Sequence, residues 1–158
     1  MPETHKRIVL AARPMGMPEE SDFRMEEGPL PEPGDGQIVV RVEYLSVDPY
    51  MRGRMRDAAS YAAPVRIGEV MTGGGVGRVI ASRNPRFAVG DCVVGMTGWQ
   101  THAVTDGRGY RRVDPSVAPV TTALGVLGVT GLTAYFGLLD ICHPVAGETV
   151  VVSGAAGA

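Results

Sequence analysis

Gly154, Ala155 and Gly157, close to the end of a 158-residue chain, have the types and spacing of a loop that wraps a phosphate. Small residues there let backbone amides approach a pyrophosphate. Val150, Val151 and Val152 precede them and have the β-branched character of a parallel strand covered on both faces. Against the fingerprint G-x-G-x-x-G, Ala155 takes the first glycine place and Gly157 the second, and the third falls just past Ala158. No helix follows to aim its N-terminal amides at a phosphate. A loop of this kind at the terminus predicts that these residues are part of a longer protein.

A second glycine cluster, Gly73-Gly74-Gly75-Val76-Gly77, leads into the strand-like Arg78-Val79-Ile80-Ala81 rather than into a helix. It predicts a bulge or tight sheet crossing that needs small residues, not a nucleotide loop. Metal chemistry has little support. His5, His102 and His143 are scattered, and Cys92 and Cys142 form no C-x-x-C pair. Zinc needs about three or four converging N, S or O ligands at roughly 2.0–2.3 Å.

The elements that must position such residues are mostly strands. Ile8 to Ala12 and Phe23 to Glu26 read as strands, and the Pro/Gly-rich stretch 29–36 as a connector. From Gln37 the chain alternates, with Ile38, Val40, Val42 and Tyr44 on one face and Val39, Arg41 and Glu43 on the other, as in a half-buried antiparallel strand. Phe87 to Met96 reads as a turn and strand, and Trp99 to Val104 continues the β pattern. The character changes at Pro115: Val117 to Leu127 predicts a short helix, Gly128 to Gly131 a break, and Leu132, Tyr135, Phe136 and Leu139 an amphipathic helix.

Composition narrows the partners. The chain has 22 Gly and 12 Pro, but they punctuate apolar runs, and a 44% hydrophobic content supports a packed core. A net charge of −2 argues against nucleic acid or an anionic membrane as partner. The N-terminal apolar run is too short for a signal peptide and no stretch reaches membrane-spanning length, which predicts a reduced, cytoplasmic protein.

Four segments occur in order: Tyr44-Leu45-Ser46-Val47-Asp48-Pro49-Tyr50-Met51-Arg52, Phe87-x-x-Gly90-Asp91-x-Val93, Gly128-Val129-Thr130-Gly131-Leu132-Thr133-Ala134-Tyr135-Phe136-Gly137-Leu138, and the terminal Gly-Ala-Ala-Gly-Ala. In these the chain resembles the medium-chain dehydrogenase/reductase superfamily. Its nearest likeness is to the zinc-independent, NADPH-dependent alkenal/one oxidoreductases, the branch of prostaglandin, plant double-bond and curcumin reductases. The resemblance implies a mainly β, GroES-like, partly open barrel over residues 1–122. A helical bridge and the first strand of a Rossmann α/β domain follow over 123–158. Zinc alcohol dehydrogenases carry a cysteine where Leu45 falls and a histidine near Glu69, so a catalytic metal is not expected.

Reducing a conjugated C=C bond without a metal needs a hydride donor, a polarised carbonyl and a proton source. NADPH supplies the hydride by resemblance, and tyrosine hydroxyls suit the polarising role because they donate while staying neutral at pH 7. Tyr50, after the Asp48-Pro49 turn, and Tyr61, in an Ala-rich loop, are the candidate catalytic residues; both also suit half-buried positions closing the barrel. Thr130 is the candidate contact to the nicotinamide carboxamide, and it also suits a helix cap. Gly154, Ala155 and Gly157 are the candidate cofactor-binding positions. Asp48 reads first as a turn residue, Arg52 and Arg54 as a solvated face, and Cys92 as a core thiol.

The function expected is reduction of an enone or alkenal. The alternatives are a zinc-independent quinone oxidoreductase and a stand-alone GroES-like binding module. The expected substrate is a small molecule, an enone or a quinone, and the full-length protein is expected to be a homodimer. The 158 residues alone are expected to bind NADPH poorly.

Overall fold

Strand-forming residues separated by glycine turns build two antiparallel sheets in this computed structural model, which describes residues 3–58 and 60–154. The first is a ribbon of β1 (His5–Leu10) and β2 (Phe23–Gly28), in register from His5 opposite Gly28 to Leu10 opposite Phe23. The second comprises β3 (Ile38–Leu45), β4 (Gly74–Ser82), β5 (Cys92–Met96), β6 (His102–Thr105) and β7 (Arg111–Arg112), in the order β6-β3-β4-β5-β7.

The free edge of β1 joins the ribbon to the rest. Leu10 N–H donates to the Glu69 carbonyl at 3.0 Å, Met71 N–H to Ile8 at 2.9 Å, Ile8 N–H to Trp99 at 2.8 Å and Thr101 N–H to Lys6 at 2.8 Å. Strands β6 and β7 do not pair with each other, so among the described residues the barrel stays partly open.

Burial follows the pattern in part. Ile38 and Val40 join Val79, Phe87 and Val93 in one apolar cluster, as the alternation requires. Val39, expected on the polar face, is also fully buried, while Tyr44, expected inward, is half exposed. Ile38, Val39 and Val40 are all fully buried, so both faces of β3 are covered at its start; for Tyr44 the cause is register. The β3–β4 pairing slips between Val39 and Val40 and again between Val42 and Tyr44, where Val42 faces Gly77 and Tyr44 faces Val76. Glu43 is the extra residue of that bulge, and Gly77 is the small residue that accommodates it. Cys92 packs with Val76, Val94 and Ala123, and burial pushes its thiol above the ordinary range. A third cluster, Leu10, Met51, Met55, Val65 and Met71, lies beneath the segment after β3, with Phe23, Tyr50 and Trp99 against it.

The C-terminal third departs more from expectation. Of the helix predicted over 117–127, only a 3₁₀ turn forms, Val120–Ala123. Pro119 opens it, and Gly125 and Gly128 follow too soon for a longer run. Helix α2 (Val129–Tyr135) continues as a π-helix, Phe136–Cys142, that stops at His143 in the left-handed region. The apolar stripe is present as predicted, yet none of its residues is buried. Val150–Val152, expected as a parallel strand, pairs with nothing and is exposed. Such a strand is held by neighbours on its edges and layers on its faces, and the described residues supply neither. No described helix is long and apolar enough to cross a membrane.

Candidate active site

Beyond β3 the chain turns sharply. The Ser46 hydroxyl donates to the Asp48 carboxylate at 2.9 Å and Met51 N–H donates to the Asp48 carbonyl at 3.1 Å. Asp48 is therefore a turn residue, as its Asp-Pro context predicts. Pro49, already in the right-handed helical region, opens α1 (Tyr50–Arg54). Met51 and Met55 face the core, which leaves Tyr50 and Arg54, four residues apart, on a shared face.

Tyr50 is half-buried, and burial raises its phenol pKa above the usual value near 10, with the Asp48 charge adding to the rise. A hydrogen bond with the Thr72 side chain and the Arg54 charge act the other way. The net result is a phenol that stays a neutral O–H donor at pH 7. Tyr61 lies close enough to influence it but is itself 84% exposed.

A cleft of about 530 Å³ opens beside α1, with Arg54, Arg66, Glu69, Met71, Thr72 and Gln100 among its lining residues. Neither tyrosine lines it. Arg54 and Thr72 do, and they link the cleft to Tyr50.

The arginines are not the solvated face expected. Arg52 donates through Nη2 to the carbonyls of Pro14 at 3.1 Å and Gly16 at 2.7 Å, tying the 14–16 loop to α1. Arg54 Nε is buried and has no hydrogen-bond partner among the described residues. Its spacing from Tyr50 was open to inspection in the sequence. Thr72 gave no such signal, because it reaches Tyr50 only through tertiary folding, in which Val65 N–H donates to the Arg54 carbonyl at 2.8 Å and ties the segment before Thr72 to α1.

Thr130 lies in the first turn of α2 and is exposed. It does not cap the helix; Gly128 holds that position, and the Thr130 hydroxyl donates to the Gly125 carbonyl at 2.9 Å. The local packing explains why. A Cβ at Gly131 would strike the Val126 carbonyl, so the helix starts hard against the preceding turn and brings the two groups together. Gly154 has φ +66° and open space around its Cβ position. Ala155 and Gly157 lie outside the described residues. Among the described residues, no three His, Cys, Asp or Glu side chains converge as a metal site would require.

A sheet built of β3 to β7, a ribbon sewn to it and an α1 turn carrying Tyr50 define an oxidoreductase domain. Residues 6–113 match the family of N-terminal domains of oxidoreductases, and the chain belongs to that family, within the medium-chain dehydrogenase/reductase superfamily. The partly open, mainly β barrel is its GroES-like domain.

The chain is similar to an NADPH-dependent curcumin reductase of Escherichia coli (strain K12), 48% identical over 155 residues covering 98% of this chain and 45% of the relative. A 2-alkenal reductase (NADP(+)-dependent) of Nicotiana tabacum is 39% identical over 161 residues, covering 98% of this chain and 47% of the relative. The crystal structure of CurA in complex with NADPH from Vibrio vulnificus superposes with a TM-score of 0.89 at 48% identity, over 95% of this chain and 44% of that one. The chain thus spans less than half the length of these relatives.

Proposed function

We propose that this chain is the substrate-side part of a reductase that uses NADPH to saturate the C=C bond of α,β-unsaturated carbonyl compounds, without a metal. The observation that carries this reading is Tyr50, a half-buried phenol at the start of α1 near Thr72, in a chain 48% identical to an NADPH-dependent relative. Its O–H donates to the carbonyl oxygen of the enone and stabilises the negative charge that grows there as the β carbon accepts hydride, and the enolate so formed takes a proton from water at its α carbon. Tyr61, exposed at the loop beside it, covers the outer side of the bound substrate.

NADPH supplies the hydride when bound. The residues present suit it: Thr130 spends its own proton on Gly125, which leaves hydroxyl lone pairs facing outward to accept from a carboxamide N–H. Gly154, open and at positive φ, leaves room for a pyrophosphate against the backbone, with Ala155 and Gly157 next in line. Among the described residues the apolar clusters of the sheet end at Ala123, close to the proposed boundary between a catalytic domain over 1–122 and a dinucleotide-binding domain over 123–158. The exposed apolar residues of α2 and the π-helix are then covered by the rest of that second domain, through which the whole protein forms a homodimer.

The test is a panel of enones, alkenals and quinones given to the full-length protein with NADPH, with oxidation followed by absorbance. Faster turnover of enones and alkenals is the expected result. Faster turnover of quinones would overturn it. A fluorescence titration of residues 1–158 with NADPH is expected to show weak binding, and micromolar affinity would contradict the proposed division of the site.

A further inference from the structure

Four buried side-chain nitrogens have no hydrogen-bond partner among the described residues: Arg52 Nη1, Arg54 Nε, Trp99 Nε1 and His102 Nε2. Three have structural surroundings. Arg52 uses its other nitrogens to hold the 14–16 loop, Trp99 stacks on Phe23 with its indole against Gly73, and His102 Nε2 lies 3.5 Å from Glu3 Oε1. Trp99 also borders a cleft, of about 500 Å³, but its indole N–H is neutral; of the four, Arg54 is the one that brings a positive charge to the wall of a cleft.

The guanidinium of Arg54 takes part in no hydrogen bond or ion pair among the described residues. Leaving a buried cationic N–H without an acceptor is costly, and a site that keeps one is built for an acceptor that arrives from outside. Arg66 and Glu69 face the same cleft. Their charges are set against each other: Arg66 Nε is 3.9 Å from Glu69 Oε1, and the Arg66 backbone N–H donates to Glu69 Oε2 at 3.0 Å. Asp48 places a negative charge near Tyr50 but does not line the cleft. The uncompensated charge of the cleft is therefore that of Arg54. Thr72 and Gln100 add polar groups to the lining without adding charge.

Arg54 also follows Tyr50 by one helical turn, so the two side chains stand roughly 5–6 Å apart at their Cβ atoms on a shared face. Arg54 is near enough for its charge to act on the Tyr50 phenol. We propose that Arg54 is a specificity-determining residue that binds a carboxylate of the substrate, so that the preferred substrates are enones carrying a carboxylate near the conjugated carbonyl. This rests on the enone-reductase reading. It adds that the molecule bound at Tyr50 extends an anionic oxygen into the Arg54 cleft, where a planar guanidinium meets it with paired N–H groups.

The experiment compares an enone bearing a carboxylate on a short alkyl tether with its methyl ester, using the full-length protein and NADPH. The wild type is expected to favour the acid by about 10- to 100-fold in kcat/KM, expressed chiefly in KM. Arg54→Gln is expected to bring the acid-to-ester ratio to about one, and Arg54→Lys to restore part of the preference. Equal rates for acid and ester in the wild type, or faster reduction of the ester, would overturn the inference, and that measurement needs no variant to fold. Reduction of both without preference leaves the proposed function standing, whereas reduction of neither removes that function first.

Discussion

Gly77 lies directly against the backbone of Arg41: a Cβ at position 77 would fall inside the radius of the Arg41 carbonyl oxygen and 2.8 Å from its carbon. Both residues belong to central, hydrogen-bonded strands, at the slip where Glu43 bulges out of β3. Neither backbone has a flexible side-chain end that could yield.

Gly77→Ala is therefore expected to cost roughly 2–4 kcal/mol, the range of an overpacked core. Chemical denaturation of wild type and variant measures it, and a loss below about half a kcal/mol, within the range of a surface substitution, would show that the strands separate easily.

Tyr110 predicts an alkaline limit. Its ring packs over Gly95, its hydroxyl donates to the Met96 carbonyl at 2.9 Å, and burial pushes its pKa up to about 12. The unfolded phenol ionises near pH 10 while the folded one keeps its proton, so stability is full below about pH 10 and declines toward pH 12, by at most about 2 kcal/mol. Thermal melts across that window are expected to show the decline, and Tyr110→Phe, which keeps the ring, is expected to flatten it.

His102 sets an acid limit of opposite sign. Its ring is buried, its Nδ1 lies 3.0 Å from the Thr101 hydroxyl, and burial holds its pKa below the ordinary 6.5, with Glu3 opposing. The unfolded imidazole takes up a proton that the folded one resists, so stability present above about pH 6.5 is lost as the pH falls. Melts from about pH 7 to pH 5 are expected to show a smaller drop for His102→Gln than for the wild type. Equal drops would assign the acid limit to other groups.

Tyr50→Phe in the full-length protein is expected to lower kcat/KM for an enone by about 10- to 100-fold with an unchanged melting temperature. Because Tyr50 stays protonated past the ordinary tyrosine value, its contribution is expected to be constant until the pH nears about 10. Thr130→Val is expected to weaken NADPH binding by roughly 3- to 10-fold, the cost of one hydrogen bond. Isothermal titration separates that effect from the effect on chemistry.

Local rules read well where the element makes its own case. The Gly73–Gly77 cluster was legible as a sheet crossing because it runs into β-branched residues, and Cys92 as a core thiol because valines flank it. Tyr44 was misread because the slip at Glu43 decides which way it faces, and alternation carries no record of a slip; Val39 was misread because both faces of β3 are covered at its start. The helix expected over 117–127 and the strand at Val150–Val152 depend on packing that the described residues do not provide. In the candidate site, Tyr50 was proposed from its motif, whereas Thr72 is brought near it only by tertiary folding.

The edge of β1 bears on how the chain folds. Lys6 N–H donates to the hydroxyl of Thr101, 95 residues further on, and Ile8, Leu10 and Lys6 find their other backbone partners at Trp99, Glu69 and Thr101. A segment that leaves the ribosome early thus has an edge that stays unpaired until two later loops exist, and contacts of such long sequence separation slow folding. β1 is made before the loops it pairs with, and its short length and charged Lys6 and Arg7 limit mispairing of that open edge in the interval.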